Sequence, residues 1–214
     1  MNSISLDALD LAALLCSRVC HDVISPVGAI VNGLEVLEDE DDASMKEFAL
    51  DLIRKSARQA SARLQFARLA FGAAGSAGAS IDLGDAEQVA KGFIQDDKLS
   101  LTWEAVRVLM PKNKVKLLLN LILVATNAIP RGGRIDVKVE GADETTTFVL
   151  TATGRSARIP VHAEELIGGH SADGSVDAHG IQAFYTGLVA KAAGMRVAFS
   201  IEEETVTLKA EPTA

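Results

Sequence analysis

A proline stands in the middle of the first strongly periodic segment of this 214-residue chain. Apolar residues recur there at steps of three and four, the spacing of one helix face; they are Leu15, Val19, Val23, Val27, Ile30, Leu34 and Leu37. Pro26 lies inside this pattern, so it removes one backbone hydrogen bond and frees a carbonyl one turn earlier, near Asp22. We therefore predict a long first helix that is kinked at Pro26.

A second helix follows after the acidic run from Glu38 to Asp42. Ser44 and Glu47 have the spacing of a capping box, which predicts that this helix begins at Ser44. Its apolar face is predicted to consist of Phe48, Leu52, Ala60, Leu64, Ala67 and Phe71. Two helices joined by a short loop form a hairpin that does not bury a broad apolar stripe alone. We expect a second copy to cover it, giving a four-helix bundle across a dimer axis; the alternative is packing on the rest of the chain.

The remainder of the chain mixes helices with short strands. Residues 74–80 are small and Gly-rich, which predicts a linker between a helical hairpin (1–73) and a second domain (81–214). In the second domain the patterns predict helices at 83–94, 111–129 and 181–193, and strands at 99–103, 134–140, 146–151, 196–201 and 204–208. Helices beside mostly antiparallel strands indicate an α+β fold with two layers.

Composition excludes several classes of protein. The formal net charge of −8 makes nucleic acid binding a poor explanation, because that binding depends on cationic contacts to phosphates. Cys16 and Cys20 lie one helical turn apart and are expected to be reduced thiols of a cytoplasmic protein. With His21 they lack a fourth zinc ligand, so no metal site is expected. No secretory signal and no apolar run of about 18 residues is found, which predicts no membrane contact.

His21 is the residue that best fits a chemical role. Arg18 and Ser25 lie on its side of the helix, and Gly28 and Asn32 continue that polar stripe. A histidine on such a stripe faces solvent, where the free nitrogen of a neutral imidazole is able to attack phosphorus. Spacing alone leaves an ordinary surface histidine as the alternative.

The segment from Leu15 to Ile30 resembles the H-box of histidine kinases. That motif has a histidine, an acidic residue, two further residues, Thr or Asn, and then proline. His21, Asp22 and Pro26 match it, while Ser25 stands where the family has Thr or Asn. A helical hairpin, a linker and an α+β domain follow in the order that the kinases have.

The second domain resembles the ATP-binding domain of the same kinases in a degenerate form. Asn120 and Asn127 lie on a helix similar to the N-box, seven residues apart and on one predicted face, with Leu123 at the position of one metal ligand. The kinase motif Asp-x-Gly-x-Gly is reduced to Gly154, and the later glycine-rich stretch is reduced to Gly180. The resemblance therefore implies an ATP site that has lost its adenine and phosphate contacts.

A degenerate ATP site beside an intact histidine helix resembles the ChpT-type bacterial histidine phosphotransferases, over essentially the whole chain. The resemblance implies a homodimer that carries phosphoryl on His21 from the receiver domain of a hybrid histidine kinase (CckA-like) to cell-cycle response regulators (CtrA-like, CpdR-like). Asp22, Arg18 and Ser25 are implied to orient the imidazole, offset charge and tune hydrolysis. No cofactor of its own is implied, and Mg²⁺ is expected on the partner receiver.

Two other functions remain open from the sequence. An active histidine kinase would need to bind ATP through Asn120 and Asn127. A non-catalytic dimeric scaffold would bind response regulators without phosphoryl transfer.

Overall fold

The chain begins with a helical hairpin. The structure, a computed structural model, describes residues 1–39, 42–72, 79–94 and 98–213. A short strand β1 (Asn2–Ser3) precedes the helices α1 (Ala8–Asp39) and α2 (Ala43–Ala70). Asp42 caps α2, because its side chain accepts a hydrogen bond from the Ser44 amide at 2.7 Å. The predicted capping box at Ser44 is therefore wrong, and the helix begins earlier.

Small side chains let the two helices of the hairpin approach closely. Ala49, Ser56 and Ala60 are buried in α2, and Gly33 of α1 lies against Ala49 and Ile53. A Cβ atom at Gly33 would lie 2.7 Å from the Ile53 side chain. Of these buried residues of α2, Ala60 belongs to the predicted apolar face, and Ala49 and Ser56 lie outside it.

Phe48 and Leu64 of the predicted apolar face of α2 are 66% and 51% exposed within the chain. The hairpin alone leaves this apolar surface uncovered.

The second part of the chain is a two-layer sandwich, as predicted. Its elements are β2 (Ser80–Asp82), α3 (Leu83–Phe93), β3 (Leu99–Glu104), β4 (Leu109–Pro111), α4 (Lys112–Ala128), β5 (Gly133–Glu140), β6 (Thr147–Thr153), α5 (Ala163–Ile167), β7 (His170–Ser171), α6 (Ile181–Ala192), β8 (Met195–Glu202) and β9 (Thr205–Pro212). The main sheet has the order β3-β5-β6-β9-β8, in which only β3 and β5 run parallel. The α+β class and the order of hairpin and sandwich are confirmed.

The core lies between this sheet and α4. Alternate residues of the central strands are buried, as strand periodicity requires; they include Ile135, Val137, Phe148, Leu150, Val206 and Leu208. Helix α4 is buried on nearly all sides, because the sheet, α6 and α2 surround it. The opposite face of the sheet holds polar residues such as Asp136 and Lys138.

Most of the predicted linker, residues 74–78, lies outside the described residues. Ser80 already belongs to β2 and pairs with Pro111 of β4. The domain limits at 73 and 81 remain a prediction.

Among the described residues, the hairpin and the sandwich make contacts at both ends that the sequence did not indicate. At one end β1 pairs with β7, and Ile4, Leu6 and Leu11 pack against a cluster of Leu166, Ile181 and Phe184. At the other end the rings of Phe66 in α2 and Phe93 in α3 stack with their centroids 4.2 Å apart. These contacts fix the sandwich against both helices.

Candidate functional site

His21 lies midway along α1 and points into solvent. Its side chain is 85% exposed. Ser25 and Asn32 on the same side of the helix are also exposed, and no atom lies within 4 Å of where a Cβ of Gly28 would stand. The surface around the imidazole is therefore open to another macromolecule.

The carboxylate of Asp22, the residue after His21, lies between the side chains of His21 and Arg18. Asp22 Oδ1 is 3.9 Å from His21 Nδ1, and Asp22 Oδ2 is 3.2 Å from Arg18 Nε. The first distance is too long for a hydrogen bond, but a rotation of either side chain would shorten it. Arg18 and Asp22 are only about one quarter exposed, so their ion pair is less screened than one in open solvent.

Pro26 changes the backbone hydrogen bonding of α1 at Asp22. It is buried and provides no N–H for the carbonyl of Asp22, four residues earlier. The guanidinium of Arg63 in α2 donates a hydrogen bond to that carbonyl instead. The free carbonyl predicted near Asp22 is present, and a residue that the sequence analysis missed satisfies it.

One signal in the sequence pointed to Arg63. It stands three residues after Ala60 and four before Ala67, so helical spacing places a charged side chain on the face predicted to be apolar. A cation on a packed face needs a hydrogen-bond acceptor. Pro26 leaves one available, because it has no N–H to pair with the carbonyl of Asp22.

Asn120 has a structural task in the second domain. It is fully buried, and its amide nitrogen donates to the carbonyls of Ala70 and Lys116 at 3.0 and 2.8 Å. Its oxygen accepts from Gln182 Nε2 at 2.8 Å. This network ties the end of α2 to α4 and α6.

The four residues of the expected degenerate ATP site differ in burial and in local structure. Asn120 is buried while Asn127, seven residues later at the end of α4, is exposed, so they present no common surface. Gly154 lies at a turn where a Cβ would stand 2.3 Å from the Gly132 carbonyl, and Gly180 precedes α6. That Asn120 and Asn127 share one face of α4 stays a prediction, and Asn120 is not accessible on that face.

The N-terminus of α6 already has an anionic acceptor. Asp177 Oδ1 accepts hydrogen bonds from the amides of His179 and Gly180 at 3.0 and 2.7 Å. The bond from Gly180 is the main reason that the pKa of Asp177 lies below its ordinary value. A phosphate arriving here would meet a carboxylate at the amides that it needs.

The described residues form no group of three or more His, Cys, Asp and Glu side chains able to hold a metal ion. Cys16 and Cys20 are free and exposed. By length and composition alone, α1 would pass as a membrane-spanning helix, although little of it is buried in the chain. This finding qualifies the expectation from the sequence that no segment is apolar enough.

Known proteins resemble this chain over nearly its whole length. Residues 83–205 match the family model described as the histidine phosphotransferase C-terminal domain. The protein phosphotransferase ChpT of Brucella abortus (strain 2308) is 53% identical over 208 residues, which are 97% of this chain and 98% of that protein. A bacterial phosphotransferase structure at 1.7 Å resolution is 51% identical, with a TM-score of 0.89, and covers 99% of this chain and all of its own.

A helical hairpin with an exposed histidine, followed by an α/β sandwich, thus defines a phosphotransfer protein. The chain belongs to the histidine phosphotransferase family. It is a protein phosphotransferase of a phosphorelay, and the resemblance seen in the sequence is confirmed.

Proposed function

We propose that His21 accepts a phosphoryl group from an aspartyl phosphate of one receiver domain and passes it to the aspartate of another. The observation that supports this best is the exposed imidazole on a helix whose neighbouring residues are fixed by Pro26 and Arg63. The polar, open surface along Ser25, Gly28 and Asn32 leaves room for the receiver.

The chemistry requires little from the carrier itself. The lone pair of Nε2 forms a P–N bond while the bond from phosphorus to the aspartate oxygen breaks, and the carboxylate leaves with its electron pair. Such transfers pass through a loose transition state, so positioning and charge neutralisation provide most of the rate enhancement. We expect the receiver to provide its bound Mg²⁺. On the next receiver these bond changes run in reverse. An aspartate oxygen bonds to phosphorus while the P–N bond breaks, and Nε2 leaves with the electron pair.

Asp22 is placed to control which ring nitrogen attacks. Its carboxylate lies 3.9 Å from Nδ1, and a side-chain rotation that closes this distance to a hydrogen bond would hold the proton on Nδ1 and leave Nε2 free. It also stabilises the imidazolium charge that develops as Nε2 bonds to phosphorus. Arg18 holds Asp22 in place and adds positive charge near the phosphoryl group, and Ser25 is exposed four residues after His21, where it is able to orient water.

We infer that the protein does not phosphorylate itself with ATP. Three observations support this inference. The amide of Asn120 is used up in the network with Ala70 and Gln182. Leu123 is buried where the kinases have a polar ligand. Asp177 occupies the amides at the start of α6.

We further propose that two copies form a four-helix bundle. Ile24, Val27, Val31 and Leu34 recur at steps of three and four along α1 and are between 43% and 69% exposed. Leu50 and Leu64 of α2 are also partly exposed. A second hairpin would bury both sets, which also explains why α1 is so apolar without a membrane.

We expect the partners to be the receiver of a hybrid histidine kinase (CckA-like) and cell-cycle response regulators (CtrA-like, CpdR-like). We place the relay in the cytoplasm, which the free thiols of Cys16 and Cys20 support.

The decisive experiment is phosphotransfer from a ³²P-labelled receiver domain without added ATP. We expect acid-labile, alkali-stable label on the wild-type protein and none on His21→Ala. His179→Ala is the matched control, since its imidazole is also highly exposed but is remote in sequence and lies in the second domain. It should accept label as the wild type does.

Labelled His21→Ala would contradict the assignment of the carrier. Label from [γ-³²P]ATP on the purified protein alone would instead favour an active kinase. Absence of label across a panel of receivers, with retained binding, would favour the scaffold.

A further inference from the structure

A second surface, lined by no described residue of α1, has the properties of a binding site. A groove of about 660 Å³ lies between α2, the end of α3 and the strand β3. Its floor is apolar and consists of Phe93, Ile94, Leu99 and Leu101. Along its α2 side stand Arg54, Lys55 and Arg58, and Lys91 of α3 faces them. We call this surface the basic groove.

The charge of the basic groove is not neutralised within the described part of the chain. Lys91 pairs with Glu87 at 2.5 Å, but Arg54, Lys55 and Arg58 have no ion pair there. Asp51 is the one carboxylate among the described lining residues. This concentration of cations stands out in a protein of net charge −8, so it favours an anionic ligand.

One wall of the groove is an unpaired sheet edge. Strand β3 pairs with β5 on one side and is the end strand of the five-stranded sheet. No other described strand pairs with its outer edge, so the backbone amides and carbonyls that point outward there remain available. Such an edge accepts an added strand from another protein.

The groove does not belong to the phosphotransfer site. None of its described lining residues comes from α1. Five residues turn a helix by about 140°, so Arg58 points away from α1 while Arg63 faces it.

We propose that the basic groove binds an extended acidic segment of a partner protein. The segment adds a strand to the edge of β3 and puts alternate apolar side chains on the floor of the groove. It places its carboxylates against Arg54, Lys55 and Arg58. A phosphorelay protein would thereby hold a partner without covering His21.

The test uses the full-length protein and a fluorescein-labelled peptide of nine residues in which Glu or Asp alternates with Val. Fluorescence anisotropy should show saturable binding that weakens as salt is added. The same peptide with Lys at every acidic position should not bind. Methylation of alternate backbone nitrogens should abolish binding for one set of positions and spare the other, because a strand offers only one edge to β3.

Two double variants with reversed charges distinguish binding in the groove from a nonspecific attraction that depends only on net charge. Arg54→Glu with Arg58→Glu should weaken peptide binding about tenfold. Arg131→Glu with Arg155→Glu changes the net charge equally at exposed positions outside the groove and should leave binding within about twofold of the wild type. Hydrogen exchange should slow in β3 on binding and stay unchanged in β8, the other edge of the sheet.

Equal binding by both variants, equal binding of the lysine peptide, or protection at β8 alone would overturn the proposal. Full competition by inorganic pyrophosphate, without any dependence on peptide methylation, would assign the groove to a small anion and overturn it as well.

Discussion

The guanidinium of Arg63 donates a hydrogen bond to the backbone carbonyl of Asp22. That carbonyl is free because Pro26 stands four residues later and has no N–H. The side chain of the same Asp22 lies beside His21. Helix α2 therefore fixes the backbone of the residue next to His21, and it does so through a bond that only a proline in α1 makes available.

This relationship predicts that the effects of Arg63 and Pro26 on the free energy of unfolding are coupled, which a double-mutant cycle measures. Arg63→Ala leaves a part-buried carbonyl unpaired and should lower the free energy of unfolding by about 1–3 kcal/mol. Pro26→Ala restores the helical donor, so the loss from Arg63→Ala should be about 1 kcal/mol smaller in the Pro26→Ala background. Urea unfolding at one fixed protein concentration measures all four proteins. Strictly additive losses would show that the two residues do not share the carbonyl.

Asp22→Asn should separate catalysis from folding. The amide cannot accept a proton or stabilise an imidazolium as a carboxylate does, so the rate of transfer to His21 should fall about tenfold or more. The free energy of unfolding should change by about 0.5 kcal/mol or less, because the bond to Arg63 uses the main chain and the ion pair with Arg18 is partly exposed. Rapid-quench transfer assays give the rate. An unchanged rate would remove Asp22 from the mechanism.

The apolar stripe on α1 should hold the dimer together. Val27→Asp with Val31→Asp places two charges in the proposed interface, and sedimentation should show a monomer at concentrations where the wild type is a dimer. Val106→Asp is the control, since Val106 is 78% exposed in the second domain. A monomeric wild type would refute the four-helix bundle outright.

The buried network around Asn120 should behave as one unit. Asn120→Leu leaves the Ala70 carbonyl unpaired and Gln182 Nε2 with only its 3.4 Å bond to Thr186, and it should cost about 2–4 kcal/mol of unfolding free energy. Adding Gln182→Leu should recover part of that loss, because both ends of one buried bond then become apolar. Chemical unfolding measures both. A double variant with the summed loss of the two single variants would show that the bond between the side chains contributes nothing.

Asp177 gives a prediction for the pH dependence of stability. Hydrogen bonds from Gly180 and His179 lower the pKa of this carboxyl in the folded protein, so its contribution is present above the ordinary carboxyl range and is lost as pH falls through the lowered value. Asp177→Ala should therefore lower the free energy of unfolding near pH 7, by about 1 kcal/mol as for other lost caps. The difference from wild type should shrink below about pH 4. A difference that stays constant with pH would show that the charge of Asp177 is not involved.

Local patterns were enough to predict much of the molecule. The order of hairpin and sandwich, the helices α3, α4 and α6, and the strands β5 to β9 apart from β7 follow from periodicity and turn residues, which act within a few positions. His21, Asp22 and Pro26 were found because their spacing matches a motif on a single helix. Each of these inferences rests on neighbours in sequence.

Contacts between distant segments required the tertiary structure. Helical spacing predicted the apolar face of α2 that includes Phe48 and Leu64, but it did not show that α1 packs on Ala49 and Ser56, whose small side chains let the helices approach. The pairing of β1 with β7 joins segments too short to show a pattern.

The sequence by itself determined that a histidine stands beside an acid on a helix interrupted by proline. Only the tertiary structure decided that Arg63 satisfies the freed carbonyl and that Asn120 donates to Ala70 and accepts from Gln182. The physical reason is that hydrogen bonds of buried groups are satisfied by whatever the fold brings near, and a chain pattern specifies the group but not its partner.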